Sequence, residues 1–368
     1  MTDLIAKVET YQLELPYRHS IQFRAVKEAQ GQYILVRLVT AGGAEGIAEA
    51  VARPRQTGED PARLAHAIGT FFAPLLQGAD PFDHARLLVE MARFRSCRTE
   101  RALIDIALWD LKGKLLGQPV YRLLGTAAPP PVPVGWIAHG NDIDAQVADA
   151  VRAVEELGFS ALKLKTWRCS AEDLAMVAKV REAVGRQRMV WIDCNSAYSE
   201  TQARSILPRM TEHGVSFIEE PCRFADVRRM ALMAQWLPIA LLGDQSCETV
   251  AAVHANIAAQ AVGAVSIKMR RTGLSDSLKI CAMAEAAGLP AVIGTDSESR
   301  IGALARIHLR AAVPSLAPWP TETHFFAKLA DDVFEGTFTF ADGCVAVPTA
   351  PGFGASIDWK KLERYRRR

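Results

Sequence analysis

"ALKLKTWRCSAEDLAMVAKVREAVGRQRMVWIDCN", residues 161–195, holds one complete repeat of the fold: a β-rich run, a helical spacer and the next β-rich run. "ALKLKT" from Ala161 and "MVWIDCN" from Met189 are short and apolar, and "DLAMVAKVREAVG" between them has helical composition. The alternation recurs from about residue 130 at intervals of about 25 residues. Its other runs are "VPVGWIA" from Val132, "FIEEP" from Phe217, "IALLGD" from Ile239, "AVSIKM" from Ala264, "PAVIGT" from Pro290 and "APWPTE" from Ala317. Eight parallel strands joined by crossover helices at that period describe a TIM-type barrel. A doubly wound open sheet is the alternative, and eight even units favour closure.

The stretch before the barrel reads differently. "AKVETYQLELPY" and "GQYILVRLVTAGGAEGIAEAV" suggest an antiparallel meander, followed by helices that include "RALIDIALWDLKGKLLG", with Gly117 as its stop and Pro119 beyond. That predicts a separate α+β domain of roughly 120 residues. The segment after about residue 323 is long enough to fold back onto it.

Composition narrows the function. The chain has 368 residues, 49% of them hydrophobic and 23% charged, the balance of an ordinary globular protein. A formal net charge of +2 without a basic stripe argues against nucleic acid as the main partner, and the basic end "KKLERYRRR" reads as a solvated tail. The start lacks a signal-peptide profile and no long uncharged apolar run occurs, so a cytoplasmic location and no membrane partner are expected. Seven cysteines without a CxxC pair fit reduced thiols.

Barrel enzymes carry their chemistry at the C-terminal ends of the strands. There the second run bears Lys163 and Lys165, the third Asp193 and Asn195, the fourth Glu219 and Glu220, the fifth Asp244 and the sixth Lys268. Lys163 and Lys165, at i and i+2 of one strand, point the same way, and two like charges in one space demand an anion. Three acids on adjacent strands repel one another unless protonated or bound to a cation, and oxygen-only ligands suit Mg²⁺. Lysines crowded beside that cation should have at least one lowered pKa. Strands two and six lie opposite each other in an eight-strand ring, so Lys165 and Lys268 would reach a substrate from opposite faces.

"KLK", "DCN", "IEEP", "GDQS" and "SIKMRRTG", in this order and spacing, resemble the enolase superfamily. The closest resemblance is to its muconate-lactonizing branch, within the mandelate racemase/muconate-lactonizing enzyme family. "IALWDLKGKLLGQPVYRLLG" extends the likeness to the end of the capping domain. The resemblance implies an α/β fold, a modified TIM barrel (β/α)7β with an N-terminal α+β capping domain. The expected units are residues 1–125, the barrel 126–322, and a C-terminal segment 323–368 packed on the cap. It also implies Asp193, Glu219 and Asp244 as ligands of Mg²⁺, or of Mn²⁺ in its place. Lys165 and Lys268 become the acid/base pair, Lys163 the partner of the substrate carboxylate, and Asn195 a polar neighbour of the first ligand. Gln245 departs from the family, which has Glu there.

The implied chemistry is removal of the α-proton of a carboxylate substrate, with the enediolate stabilised by the cation and Lys163. Asp296 and Glu298 in "GTDSESRIG" read as an anionic clamp for a substrate ammonium, with a helix cap as the plain alternative. Trp319, Tyr198 and His19 are further candidates for the pocket. These point to an amino-acid substrate of the proline type and to a 2-epimerase, racemase or dehydratase, such as one for cis-3-hydroxyproline. A muconate-type cycloisomerase or a dipeptide epimerase is the alternative, and a non-enzymatic scaffold is disfavoured. A symmetric homo-oligomer is expected.

Overall fold

The computed structural model describes residues 3–23, 26–140, 142–169, 171–223, 226–316 and 319–367. Strands β1 (Ile5–Phe23), β2 (Val26–Thr40) and β3 (Glu45–Ala52) form the antiparallel meander, paired in chain order. Helix α1 (Arg98–Leu115) packs on β3 through a buried face that includes Leu103, Ile104, Ala107, Leu108 and Leu111. Gly117 follows at φ +63°, the left-handed stop that glycine adopts without strain.

Seven strands then pair in parallel and in sequence order: β4 (Gly135–Ile137), β5 (Ala161–Lys165), β6 (Met189–Asp193), β7 (Ile218–Glu219), β8 (Leu241–Gly243), β9 (Ala264–Ile267) and β10 (Ala291–Ile293). The crossovers are α2 (Ile143–Glu155), α3 (Ala171–Val184), α4 (Glu200–Thr211), α5 (Val227–Trp236), α6 (Val250–Ala258) and α7 (Ser275–Ala286), and α8 (Arg300–Ala312) follows β10. Thr321 and Glu322 bridge the two edges. Thr321 N–H donates to Pro133 O at 2.9 Å, Gly135 N–H to Thr321 O at 2.7 Å, and Glu322 N–H to Ile293 O at 2.8 Å. The ring is therefore closed by an eighth, minimal strand, although Ala317 and Pro318 of its expected run lie outside the described residues. Ala161, Trp191, Phe217, Leu242, Ala264 and Val292 fill an apolar cluster drawn from successive barrel strands.

Carboxylates of the first domain sit on barrel helices. Asp105 accepts from Leu274 N–H at 2.7 Å and from Ser275 N–H at 2.8 Å, at the start of α7. Glu49 of β3 accepts from Ser299 N–H at 3.1 Å and from Gly302 N–H at 3.3 Å, at the start of α8. Both use the unpaired N–H groups of a helix start. The C-terminal residues are docked by their backbone and Leu362, while Lys360, Arg364, Arg366 and Arg367 stay exposed, as the basic composition suggested. Trp359–Tyr365 is helical, the Trp359 ring packs edge-on against Tyr11 at 5.8 Å, and Arg367 N–H donates to Gln12 O at 2.8 Å. Among the described residues no helix is long and apolar enough to cross a membrane.

Burial, reinforced by the nearby charges of Glu298 and Asp332, pushes the Glu49 carboxyl up to about 8 from 4.5. A carboxyl raised in the fold contributes stability that is complete below about pH 4.5 and lost as pH rises through about 8. Glu49→Gln keeps an oxygen for Ser299 and Gly302 but cannot ionise. Calorimetry should therefore show wild-type Tm falling from about pH 5 to about pH 8.5 relative to Glu49→Gln. A Tm difference that does not change with pH would contradict this.

Candidate active site

Parallel pairing places Lys165 beside Asp193, and Asp193 beside Glu219, at the C-terminal ends of three neighbouring strands. Asp244 follows β8 and Lys268 follows β9 at the same end. Asp193, Glu219 and Asp244 are all fully buried. Lys163 Nζ lies 2.8 Å from Glu219 Oε2 and 3.1 Å from Asp193 Oδ2, and donates to Glu322 Oε1 at 2.7 Å. Lys165 Nζ donates to Asp193 Oδ2 at 2.5 Å and to Asn195 Oδ1 at 3.2 Å. Lys268 Nζ donates to Asp244 Oδ2 at 2.8 Å, while Arg271 donates to Asp244 Oδ1 at 2.7 Å and to its backbone oxygen at 2.9 Å.

Without a cation, carboxylates rather than the neighbouring lysine set the charge state of Lys163 and Lys268. Burial alone would lower Lys163, but the charges of Asp193, Glu219 and Glu322 outweigh it and hold the ammonium well above its ordinary value. Lys268 is likewise raised: burial opposes it, and Asp244 prevails. The lysines face carboxylates more closely than they face each other.

Glu219 and Glu220 separate cleanly. Glu219 turns toward Lys163, whereas Glu220, at φ +40°, accepts from Asp244 N–H at 2.7 Å and from Ser246 Oγ at 3.0 Å. Asn195, at φ +46°, orients the first acid: its N–H and Nδ2 donate to Asp193 Oδ1 at 2.8 and 2.7 Å. Gln245 accepts from Ser196 Oγ at 3.0 Å, and Arg271 and Lys268 together brace Asp244.

The remaining candidates are placed elsewhere or already engaged. Glu298 pairs with Arg306, accepts from Thr295 Oγ1 at 2.7 Å and from Asp296 N–H at 2.7 Å. Asp296 stands 3.5 Å from Arg270 Nε, and the charges of Arg270, Lys268, Arg271 and Arg306 hold its carboxyl well below the usual range against the effect of burial. Four cations thus already neutralise the pair read as a clamp for an ammonium. Trp319 packs on Phe217 at 5.1 Å, against the apolar barrel cluster. Tyr198 is buried and donates to Asp173 Oδ2 of α3 at 2.8 Å, and His19 is exposed at an irregularity of the β1–β2 pairing. Two residues of the site were missed. Glu322 is the acid that ends "APWPTE", at a strand end like the other acids, and Arg271 lies three residues after Lys268, one helical turn along.

Residues 4–125 match the mandelate racemase/muconate lactonizing enzyme N-terminal domain, and residues 145–361 match the enolase C-terminal domain-like family. The chain belongs to the enolase superfamily, in its muconate-lactonizing branch. Chloromuconate cycloisomerase CbnB of Cupriavidus necator is 30% identical over 369 residues, covering 99% of each chain. Muconate cycloisomerase 1 of Rhodococcus opacus is 28% identical over 376 residues, covering 100% of each. The muconate lactonizing enzyme of Pseudomonas fluorescens, solved with muconolactone, superposes with a TM-score of 0.94 at 28% identity over 100% of both chains. These superfamily relatives overturn the expectation of a proline-type epimerase or dehydratase. The physical reason lies in the misread acids: Asp296 and Glu298 are ion-paired with arginines, so they neither invite an ammonium nor repel a dianion.

The superfamily generally uses Mg²⁺ or Mn²⁺, and the donors here suit such an ion. All are hard oxygens, and Glu219 Oε1, though buried, has no hydrogen-bond partner, while Oε2 meets only the ammonium of Lys163 among the described residues. Burial first, and then Asp193, push the Glu219 carboxyl up to about 8, the behaviour of a ligand short of positive charge. As placed, no three carboxylate, imidazole or thiol groups among the described residues already surround one ion, and the Lys163 ammonium stands between Asp193 and Glu219.

Proposed function

We propose that the chain is a cycloisomerase of a muconate-type dicarboxylate, working with Mg²⁺, or with Mn²⁺ in its place, held by Asp193, Glu219 and Asp244. The observation that carries this is an ammonium-lined end of the barrel whose nearby acids, Asp296 and Glu298, are already neutralised. When bound, the cation would add positive charge beside the substrate carboxylate on which negative charge builds.

The chain's own groups do the rest. One substrate carboxylate oxygen adds to the carbon–carbon double bond conjugated with the other carboxylate. A C–O bond forms, the π bond breaks, and its electron pair moves onto that second carboxylate. Lys163, enclosed by carboxylates, holds positive charge beside it. Lys165 then delivers one proton to the α-carbon, so the product is an isomer and no water is consumed. The side chain of Lys165 is 18% exposed, against 10% for Lys268 and 1% for Lys163, which makes it the ammonium most open to substrate. A single proton to a single face requires one acid, where epimerisation would require two. Within the same reading the enzyme works in the cytoplasm, where its cysteines, free in this fold, stay reduced.

Incubating the protein with cis,cis-muconate and with chloromuconates in D₂O with Mg²⁺ should give a lactone carrying one deuterium at the α-carbon, seen by NMR. Exchange of the α-proton of proline-type amino acids without lactone formation would overturn the proposal.

A further inference from the structure

The loop after β10 lies against Glu322, the partner of Lys163, and against Lys268, and the first domain grips it at three points. Thr295 N–H donates to Glu322 Oε2 at 3.1 Å, and Glu322 Oε1 holds Lys163. One residue earlier, a Cβ on Gly294 would lie 3.2 Å from Lys268 Cε, so the start of the loop packs directly on that lysine. Asp296 places its charge near Lys268. A shift of residues 294–296 would therefore be felt by Lys163, through Glu322, and by Lys268 directly.

Three side chains of the first domain reach across to this loop. Arg53, just after β3, donates through Nε and Nη2 to Asp296 O at 3.3 and 3.2 Å. Tyr33 of β2, fully buried, donates to Ser297 O at 2.9 Å. Glu49 accepts from Ser299 N–H at 3.1 Å. At the middle anchor Ser297 sits at φ +84°, a conformation that a serine keeps only when its surroundings hold it there. Within the loop, Ser297 N–H donates to Thr295 Oγ1 at 2.9 Å, which ties the strained residue back to the one that touches Glu322.

We propose that Tyr33, Arg53 and Glu49 form a template that imposes the active conformation on residues 294–299, and that Tyr33 is a positioning residue for Lys163 and Lys268. It touches neither lysine and acts only through the loop. The inference rests on the cycloisomerase reading for its kinetic test and on geometry alone for its structural one.

Tyr33→Phe removes one donor and keeps the ring. It should lower kcat about tenfold, with KM changed less than about threefold, and should speed amide exchange in residues 294–299, read by hydrogen–deuterium exchange without substrate. Adding Ser297→Gly should recover most of the lost kcat, because glycine adopts φ +84° without support. A merely structural tyrosine would lower Tm without that rescue. Should Tyr33→Phe fold poorly, Arg53→Gln, which loosens the neighbouring anchor, is expected to give the same kcat loss and faster loop exchange. Unchanged kcat and exchange in these variants, or no rescue by Ser297→Gly, would overturn the template. If the wild type forms no lactone, the substrate assignment alone fails, and loop exchange still decides the template.

Discussion

Lys165→Ala should lower kcat for lactone formation by about 10³-fold, the size of effect expected when a positioned general acid is lost. Lys268→Ala should cost only about tenfold and leave the protonated face unchanged, because it removes positive charge near the substrate but not the proton donor. The asymmetry follows from the surroundings of the two ammonium groups. Among the described residues Lys165 is held by Asp193 and Asn195, whereas Lys268 shares Asp244 with Arg271 and has the charge of Asp296 nearby. Arg271 stays on Asp244 when Lys268 is gone, so the third acid keeps a partner. The measurement is kcat from the loss of muconate absorbance, with deuterium placement in the product read by NMR. Equal and complete loss in both variants would mean that each lysine carries a proton, as a two-base epimerase requires.

The barrel was legible because its period is long and its units are regular. The ends of β5 to β9 showed their acids and lysines as soon as strands were assigned, and Gly117 marked the end of α1 by its position alone. The eighth strand was harder to read: it is reduced to the bridging residues Thr321 and Glu322, and its run drew attention to Trp319, which packs in the core, instead of Glu322. The choice of substrate failed for a reason that a one-dimensional reading does not expose. Asp296 and Glu298 announce negative charge in the sequence, but their neutralisers, Arg270 and Arg306, come from a different strand end and from the buried face of α8. Pairing with the neighbouring strand end and with the next helix decided the net charge at the mouth. The surroundings of Lys163 were hidden in the same way, since its anions come from three different strands.

The second large effect concerns Glu219. It is fully buried, its Oε1 accepts no hydrogen bond, and the cation at its Oε2, Lys163, is shared with Asp193 and Glu322. Three buried acids crowded at neighbouring strand ends are tolerable only with positive charge among them, and lysines supply part of it. Glu219→Gln preserves shape and removes one negative ligand charge. The variant should bind Mg²⁺ at least about a hundredfold more weakly, the upper range for disturbing even an outer partner of a metal ligand. Lactone formation should fall with it. The fold should survive, because glutamine in a neutral site does not carry the desolvation cost of a buried carboxylate.

The most direct test is calorimetric titration of Mg²⁺ into protein freed of divalent ions, carried out on the wild type and on Glu219→Gln. One ion bound per chain in the wild type, and none measurable in the variant over the same range, is the predicted result. A wild type that binds no ion, or a Glu219→Gln protein that binds as tightly as the wild type, would contradict a cation held by Asp193, Glu219 and Asp244.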